Sequence, residues 1–190
     1  MAFATWWRGD PLPDLTSLPT FSAHRSTDAQ LIARLTKRPP QVMDARFQMG
    51  NRLYLACMGE VPVAYGWVAT QTGSISDLQL SFAIPYENSY LYNFLTFPEW
   101  RGRGIYPRLL QAIIRQEELI RRFWIGYLPD NAASGRGIRK AGFHIVSDLV
   151  VVGDRAAGIT LFEASERAQA SADFFHLPVL QSSPAVSPIQ

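Results

Sequence analysis

SYLYNFLTFPEWRGRGIYPRLLQAIIRQEELI, residues 89–120, holds a strand, a basic glycine turn and a helix in that order. Over 89–97, Tyr90, Tyr92, Phe94 and Thr96 alternate with Leu91, Leu95 and Phe97, the pattern of an aromatic-rich strand. Pro98 cannot donate to a ladder and marks the strand's end. Arg101-Gly102-Arg103-Gly104 then bends the backbone. Ile105, Leu109, Leu110, Ile113 and Ile114 follow at helical spacing, joined a turn later by Ile120. Pro107 is tolerated only in a first helical turn, so the helix starts close to Gly104.

Such a corner suits an anion. Free N–H groups and the positive end of the helix dipole converge there, and glycine lets a ligand approach the backbone. Arg101, Arg103 and Arg108 add positive charge, and a diphosphate is the natural guest. A plain strand-to-helix connection has the same local signature. Two phosphate-binding patterns are excluded: no GxxxxGK[ST] occurs, and Gly102-Arg103-Gly104-Ile105-Tyr106-Pro107 fails the GxGxxG fingerprint.

A second segment carries the reading further. PEWRGRGIYPRLL resembles the acyl-CoA-binding motif [Q/R]-x-x-G-x-[G/A] of the GNAT superfamily of N-acyltransferases, with Arg101 first and Gly104 fourth. After a helix and a short strand (123–128) come Asn131-Ala-Ala-Ser134 and Lys140-Ala-Gly142-Phe143, similar to that superfamily's N-x-x-[AS]…K-x-G-F block, with each spacing kept. The resemblance covers roughly residues 21–164. It implies an α/β (α+β) GNAT fold: a mixed, mostly antiparallel twisted sheet of about seven strands, helices on both faces, and a splayed central strand pair.

The resemblance also implies a reaction, transfer of an acetyl group from acetyl-CoA to a primary amine of a small molecule by direct attack, without a metal. Phe94, Leu95 and Thr96 would pair with the pantetheine arm, and Arg101, Gly102, Arg103, Gly104, Ile105 and Tyr106 would hold the diphosphate. Asn131 would hydrogen-bond the arm and Ser134 would lie near the thioester. Two departures stand out. Tyr106 occupies a position where glycine or alanine is usual, so its side chain must point away from the diphosphate. Ile138 stands where many members carry a tyrosine as general acid, which leaves Ser134 or solvent to protonate the thiolate. The general base is open: Glu87, the closest acid in sequence, is the first candidate, Tyr90 occupies the usual carboxylate position with Tyr92 on the same strand face, and His144 is a third option. A CoA-binding module without turnover, a longer acyl chain and a protein acceptor are alternatives.

The rest of the 190-residue chain fits one domain with trimmings. A formal net charge of +2 gives no broad nucleic-acid or membrane-surface footprint. A single cysteine, Cys57, cannot make an internal disulfide, which suggests a cytoplasmic protein, and its apolar surroundings read as strand packing. No apolar run approaches the ~20 residues of a membrane span. Residues 1–20, with Pro11, Pro13 and Pro19, read as an irregular arm whose Trp6 and Trp7 dock on the domain or on a second subunit, so the chain is a monomer or homodimer. Residues 21–164 form the expected acyltransferase domain. Within it come a strand at 21–25, helices near 28–37 and 41–49, and a hairpin of 52–58 with 61–70. Arg46 and Gln48 are possible substrate contacts, though solvated surface suits them too. Residues 71–88 read as a pocket wall or an extended hairpin. Strands follow at 143–146 continuing to 150–152, and at 159–163. Residues 165–190 are an expected tail, mobile over Ser182–Gln190 and anchored in part by Phe174, Phe175 and Leu177.

Overall fold

The structure is a computed structural model in which residues 1–180 are described; the expected mobility of Ser182–Gln190 lies outside them. Ten strands are found, β1 (Ala2–Trp7), β2 (Phe21–Ser26), β3 (Arg52–Met58), β4 (Val61–Ala69), β5 (Thr72–Ile75), β6 (Leu80–Ala83), β7 (Asn88–Thr96), β8 (Arg122–Tyr127), β9 (His144–Val152) and β10 (Arg155–Leu161). Five helices accompany them, α1 (Ala29–Thr36), α2 (Pro40–Gln48), α3 (Ile105–Gln116), α4 (Ala132–Lys140) and α5 (Glu166–Phe175). Eight strands form one sheet in the order β10-β9-β1-β8-β7-β4-β3-β2, and β5 pairs β6 separately. Every neighbouring pair in the large sheet is antiparallel except β7 with β8.

The sheet is covered on both faces. Ile105, Leu109, Leu110, Ile113 and Ile114 of α3 are buried against Leu91, Ala64 and Val68, with Ile138 of α4 completing this cluster. On the opposite face Ile32, Ala33 and Met43 of α1 and α2 cover Leu53, Leu55, Tyr65 and Trp67. Further along that face α5 and the β5–β6 hairpin press Phe174, Phe175 and Phe82 onto Phe3, Tyr90 and Trp124. No helix among the described residues is long and apolar enough to cross a membrane.

Three expectations are corrected. Residues 1–20 do not begin as an irregular arm: Ala2–Trp7 is a central strand, paired with β8 on one side and β9 on the other. With it the main sheet has eight strands, in keeping with the expected count of about seven. Its side chains are buried on both faces, so AFATWW lacks the alternation that identifies a half-exposed strand. Trp6 is core against Phe123 rather than a docking surface, while Trp7 stacks under Arg122 and Arg167. The segment that follows is bound down. The Arg8 guanidinium donates to the carbonyls of Ile114, Glu117 and Ile120, closing the C-terminal end of α3. Gln111 of α3 donates to Pro13 O at 2.8 Å.

The second correction is α5. Ser165 accepts from Ala168 N–H and caps a helix where a polar tail was expected, and Asp10 takes Arg167 in a two-pronged pair at 2.6 and 2.8 Å. Phe174 and Phe175 anchor it, as their apolar character suggested. Third, of the two readings of residues 71–88, pocket wall gives way to hairpin: β5 pairs β6, none of the segment lines the main cavity beside α3 and α4, and Phe82 meets the Tyr90 ring edge-on at 5.2 Å. The hairpin seals Tyr90.

Candidate active site

A parallel pair that parts half-way along creates the site. β7 and β8 pair from Asn88↔Arg122 to Leu91↔Ile125 and no further, although β7 continues to Thr96 and β8 to Tyr127. The cause lies on the other edge of β7. Its register with β4 shifts between Tyr65 and Trp67, so Asn93 and Phe94 together oppose Gly66. Asn93 takes φ of 54°, in the left-handed region. An extra residue of this kind bends a strand and increases its twist. β7 therefore swings away from β8, leaving backbone groups of residues 92–96 on that edge without a strand partner. Phe94 fills the space over Gly66, where a Cβ would run into the phenyl ring.

The opened seam leads to the basic turn. Gly102 (φ 76°) and Gly104 (φ 70°) both need the left-handed conformation, and the space beside Gly102 is open. Gly104 is the N-cap of α3 and no side chain caps that end, so its first-turn N–H groups are available to a ligand. Arg101 Nε reaches back to Thr96 O at 3.2 Å, joining the turn to the rim of the seam.

One cavity of about 590 Å³ unites these parts. Phe94, Leu95 and Thr96 form its strand wall; Arg101, Gly102, Gly104, Ile105 and Tyr106 its turn and helix end; Asn131 and Ser134 its α4 wall. Asn131 both caps α4, its Oδ1 accepting from Ser134 N–H at 3.0 Å, and faces the cavity with its amide nitrogen as remaining donor. Arg136 and Lys140, four residues apart on α4, add two cations to the lining. Their spacing was readable in the sequence, but nothing in it tied that face of α4 to the turn.

Tyr106 does not block the corner. Its ring packs 5.5 Å from Phe94 and lies over Gly137, where a Cβ would strike it. The glycine in α4 thus makes room for the tyrosine in α3. Burial pushes the Tyr106 phenol well above its ordinary range, opposed by a hydrogen bond with Ser134. The phenol remains protonated at neutral pH, beside the cavity and next to the Ser134 hydroxyl.

Other sequence candidates are not brought here. Glu87 stands before β7, at the end remote from the cavity, paired with Arg121 at 3.2 Å. At ~3.3 Å per residue it lies roughly 20 Å along the chain from Phe94. Tyr90 is sealed between Phe82, Phe175 and Tyr92, and burial pushes its phenol strongly up, which unsuits it as a base. His144 opens β9, separated from β8 by β1. Arg103 is exposed, its guanidinium 4.7 Å from the Trp100 ring, and does not line the cavity. Arg108 is spent structurally, donating to Gly104 O at 2.8 Å and to Thr16 O. Ile138 is core.

No protein-family model matches the chain, and no curated protein matches it. Solved structures do. One is AAC(6')-Iy, an aminoglycoside N-acetyltransferase, in complex with the bisubstrate analogue CoA-S-monomethyl-acetylneamine; it is 15% identical with a TM-score of 0.54, over 72% of this chain and 99% of its own. An acetyltransferase of the GNAT family from Colwellia psychrerythraea is 15% identical, TM-score 0.52, over 76% of this chain and 52% of its own. A protein from Novosphingobium aromaticivorans assigned to the same family is 18% identical, TM-score 0.51, over 76% and 59%. The chain has the GNAT fold. It spans little more than half the length of the Colwellia and Novosphingobium proteins. Within the GNAT fold, this chain's splayed pair is β7–β8 and its glycine turn is 101–104.

Proposed function

We propose that the chain is a GNAT-superfamily N-acyltransferase that moves an acetyl group from acetyl-CoA to the primary amine of a small molecule. The observation that carries this reading is the continuity of the cavity, which joins uncapped N–H groups at the start of α3 to the open seam. Main-chain donors of residues 102–106 would hold the diphosphate, with Arg101, Arg136 and Lys140 balancing its charge. The pantetheine arm would pair with 94–96 as a strand would, and Asn131 would donate to it. With its diphosphate at the turn, a linear carrier directs its thioester along the seam toward the end where β7 and β8 rejoin.

At that point the amine nitrogen attacks the thioester carbonyl, the nitrogen sheds a proton to water, the C–S bond breaks, and the thiolate takes a proton. Tyr106 and Ser134, which both line the cavity, would supply it. A thiol with a pKa near ~8.5 is a good leaving group, so this help is modest. Among the described residues, the cavity lining contains no carboxylate or imidazole. The amine would therefore bind as its free base or lose its proton to water.

A second reading, a CoA-binding module without turnover, is favoured by the remoteness of Glu87 and the burial of Tyr90. A longer acyl chain is disfavoured, because Phe82 and Tyr90 are packed against α5 instead of lining an open pocket. Release of free CoA thiol from acetyl-CoA against a broad panel of primary amines decides between enzyme and module. Amine-dependent release supports the enzyme; tight acetyl-CoA binding with no release supports the module.

A further inference from the structure

The residues bounding the closed end of the seam carry a cation with no carboxylate beside it. Tyr92 is the first β7 residue beyond the last pair with β8, and Asn93 is the bulge residue after it. Arg46 of α2 covers both. Its guanidinium carbon lies 5.0 Å from the Trp67 ring and 5.5 Å from the Tyr92 ring. With the Asn93 amide turned oxygen-first toward it, Nη1 and Nη2 donate at 2.7 and 3.1 Å. Among the described residues no Asp or Glu pairs with Arg46. Arg38, one residue before the N-cap of α2, adds a second positive charge to this element, and both arginines oppose the rise that burial gives the Tyr65 phenol.

This geometry is directional. Two aromatic rings and a neutral amide hold the guanidinium in place, yet they leave its charge uncompensated and several of its five N–H donors unused. A half-buried arginine so placed is fixed in advance for a planar anion, and a carboxylate matches its fork. The face is also the one opposite α3 and α4. A carrier seated against α3 and α4 does not occupy this face, which gives an acceptor a route to the thioester across Tyr92 and Arg46.

We infer that Arg46 is the anchor for the acceptor's carboxylate, so that the acceptor is a small aminocarboxylate, an amino acid or short peptide, and not a polycationic amine. The inference rests on the acyltransferase reading for its reaction, though not for its binding site. A polycation would meet Arg38 and Arg46 as like charges. An aminocarboxylate places its anion on Arg46 and its nitrogen a few bonds away, toward the seam.

Two measurements separate this inference from the function itself. In the first, CoA release is followed with a panel of amino acids, the matching amino-acid amides, phosphoethanolamine and a polyamine. The expected result is a preference for amino acids over their amides of about 30-fold or more in kcat/KM. Arg46→Ala raises KM for the amino acid by a similar factor, leaves the calorimetric Kd for acetyl-CoA unchanged and abolishes the preference over amides. Arg46→Lys, which keeps the charge without the fork, falls between, and it replaces the alanine variant should that one fold poorly. Equal use of amides, or a better rate with phosphoethanolamine or polyamine, overturns the inference while leaving acyl transfer intact. The second needs no turnover. N-acetyl amino acids and N-acetyl amino-acid amides are titrated against the CoA-loaded protein, with tryptophan fluorescence reporting through Trp67 beneath Arg46. Saturable binding confined to carboxylates and lost in Arg46→Ala supports the inference. Absence of a carboxylate-specific response across the panel overturns it, whether or not the protein turns over acetyl-CoA.

Discussion

Gly66 of β4 and Phe94 of β7 share one space: the phenyl ring of Phe94 occupies the position that a Cβ on Gly66 would take. Phe94 with Asn93 opposes Gly66 across the register shift, so the ring's seat and the bend that opens the seam are one feature. A methyl group at Gly66 would force Phe94 out of its seat beside Tyr106. Gly66→Ala is expected to lower stability by about 1–3 kcal/mol and Tm by roughly 3–10 °C. It should also weaken acetyl-CoA binding. In a Phe94→Ala background the same substitution should cost little, and thermal melts of the four proteins measure that coupling.

The proton source is tested by Tyr106→Phe. Loss of the hydroxyl is expected to reduce kcat about tenfold with an unchanged Kd for acetyl-CoA, at the low end for general acids because the thiolate leaves easily. Ser134→Ala should give a similar loss, and the double variant less than the product if both hydroxyls serve the same thiolate from the shared cavity wall. Pre-steady-state rates of CoA release provide the reading.

The alkaline limb of stability follows from three tyrosines. Tyr54, Tyr90 and Tyr106 all ionise well above the usual tyrosine range. Burial is the largest cause for each, reinforced at Tyr54 by the Glu117 carboxylate that accepts its hydroxyl at 2.7 Å. A raised folded-state pKa means stability is fully present below the unfolded value of ~10 and is lost as pH rises beyond it. The contribution of these groups to the unfolding free energy should be flat from pH 7 to 9.5. It should then fall by up to ~1.4 kcal/mol per pH unit for each group held neutral. Tyr90→Phe should remove one group's share of that slope while retaining acyl transfer, which chemical denaturation at pH 10 to 11.5 and a CoA-release assay would check.

What was legible in the sequence was whatever repeats locally. The five apolar side chains of α3, Pro107 in its first turn and the glycines before it set the helix start correctly, because helical period and φ > 0 are both local demands. Asn131 and Ser134 came to the cavity because they begin a helix that follows the strand beside the seam. β1 was hidden because a strand buried on both faces carries no alternation, and its three following prolines suggested irregular chain. α5 was hidden by its polar start and weak amphipathicity; its place is fixed by Phe174 and Phe175 and by Asp10, which lies 157 positions from Arg167. Glu87 was favoured by nearness in sequence. Seven residues of extended chain carry it away from Phe94, and only a tertiary structure reveals that β7 opens at its other end.

That no carboxylate or imidazole lines the cavity among the described residues has a kinetic consequence. With free amine as the reactive species, kcat/KM for an amino-acid acceptor should rise about tenfold per pH unit from pH 6 until the acceptor's own amine pKa is reached, without a plateau near neutrality. A bell or plateau centred near pH 6.5 would point to an imidazole or carboxylate base brought in by another part of the molecule. Steady-state profiles in overlapping buffers, with acetyl-CoA saturating, give the answer.

The central claim is that the turn and the seam together hold a diphosphate-bearing carrier, and Gly102 offers the most direct test. The residue has left-handed φ with open space beside it, and both Asn and Asp tolerate that conformation. Gly102→Asn and Gly102→Asp therefore differ mainly by one negative charge at the proposed diphosphate. Isothermal titration with acetyl-CoA should show one-to-one binding to the wild type and to Gly102→Asn, with Gly102→Asp weaker by about 30-fold or more at matched Tm. No binding heat with the wild type, or equal affinities for the Asn and Asp variants, would contradict the account.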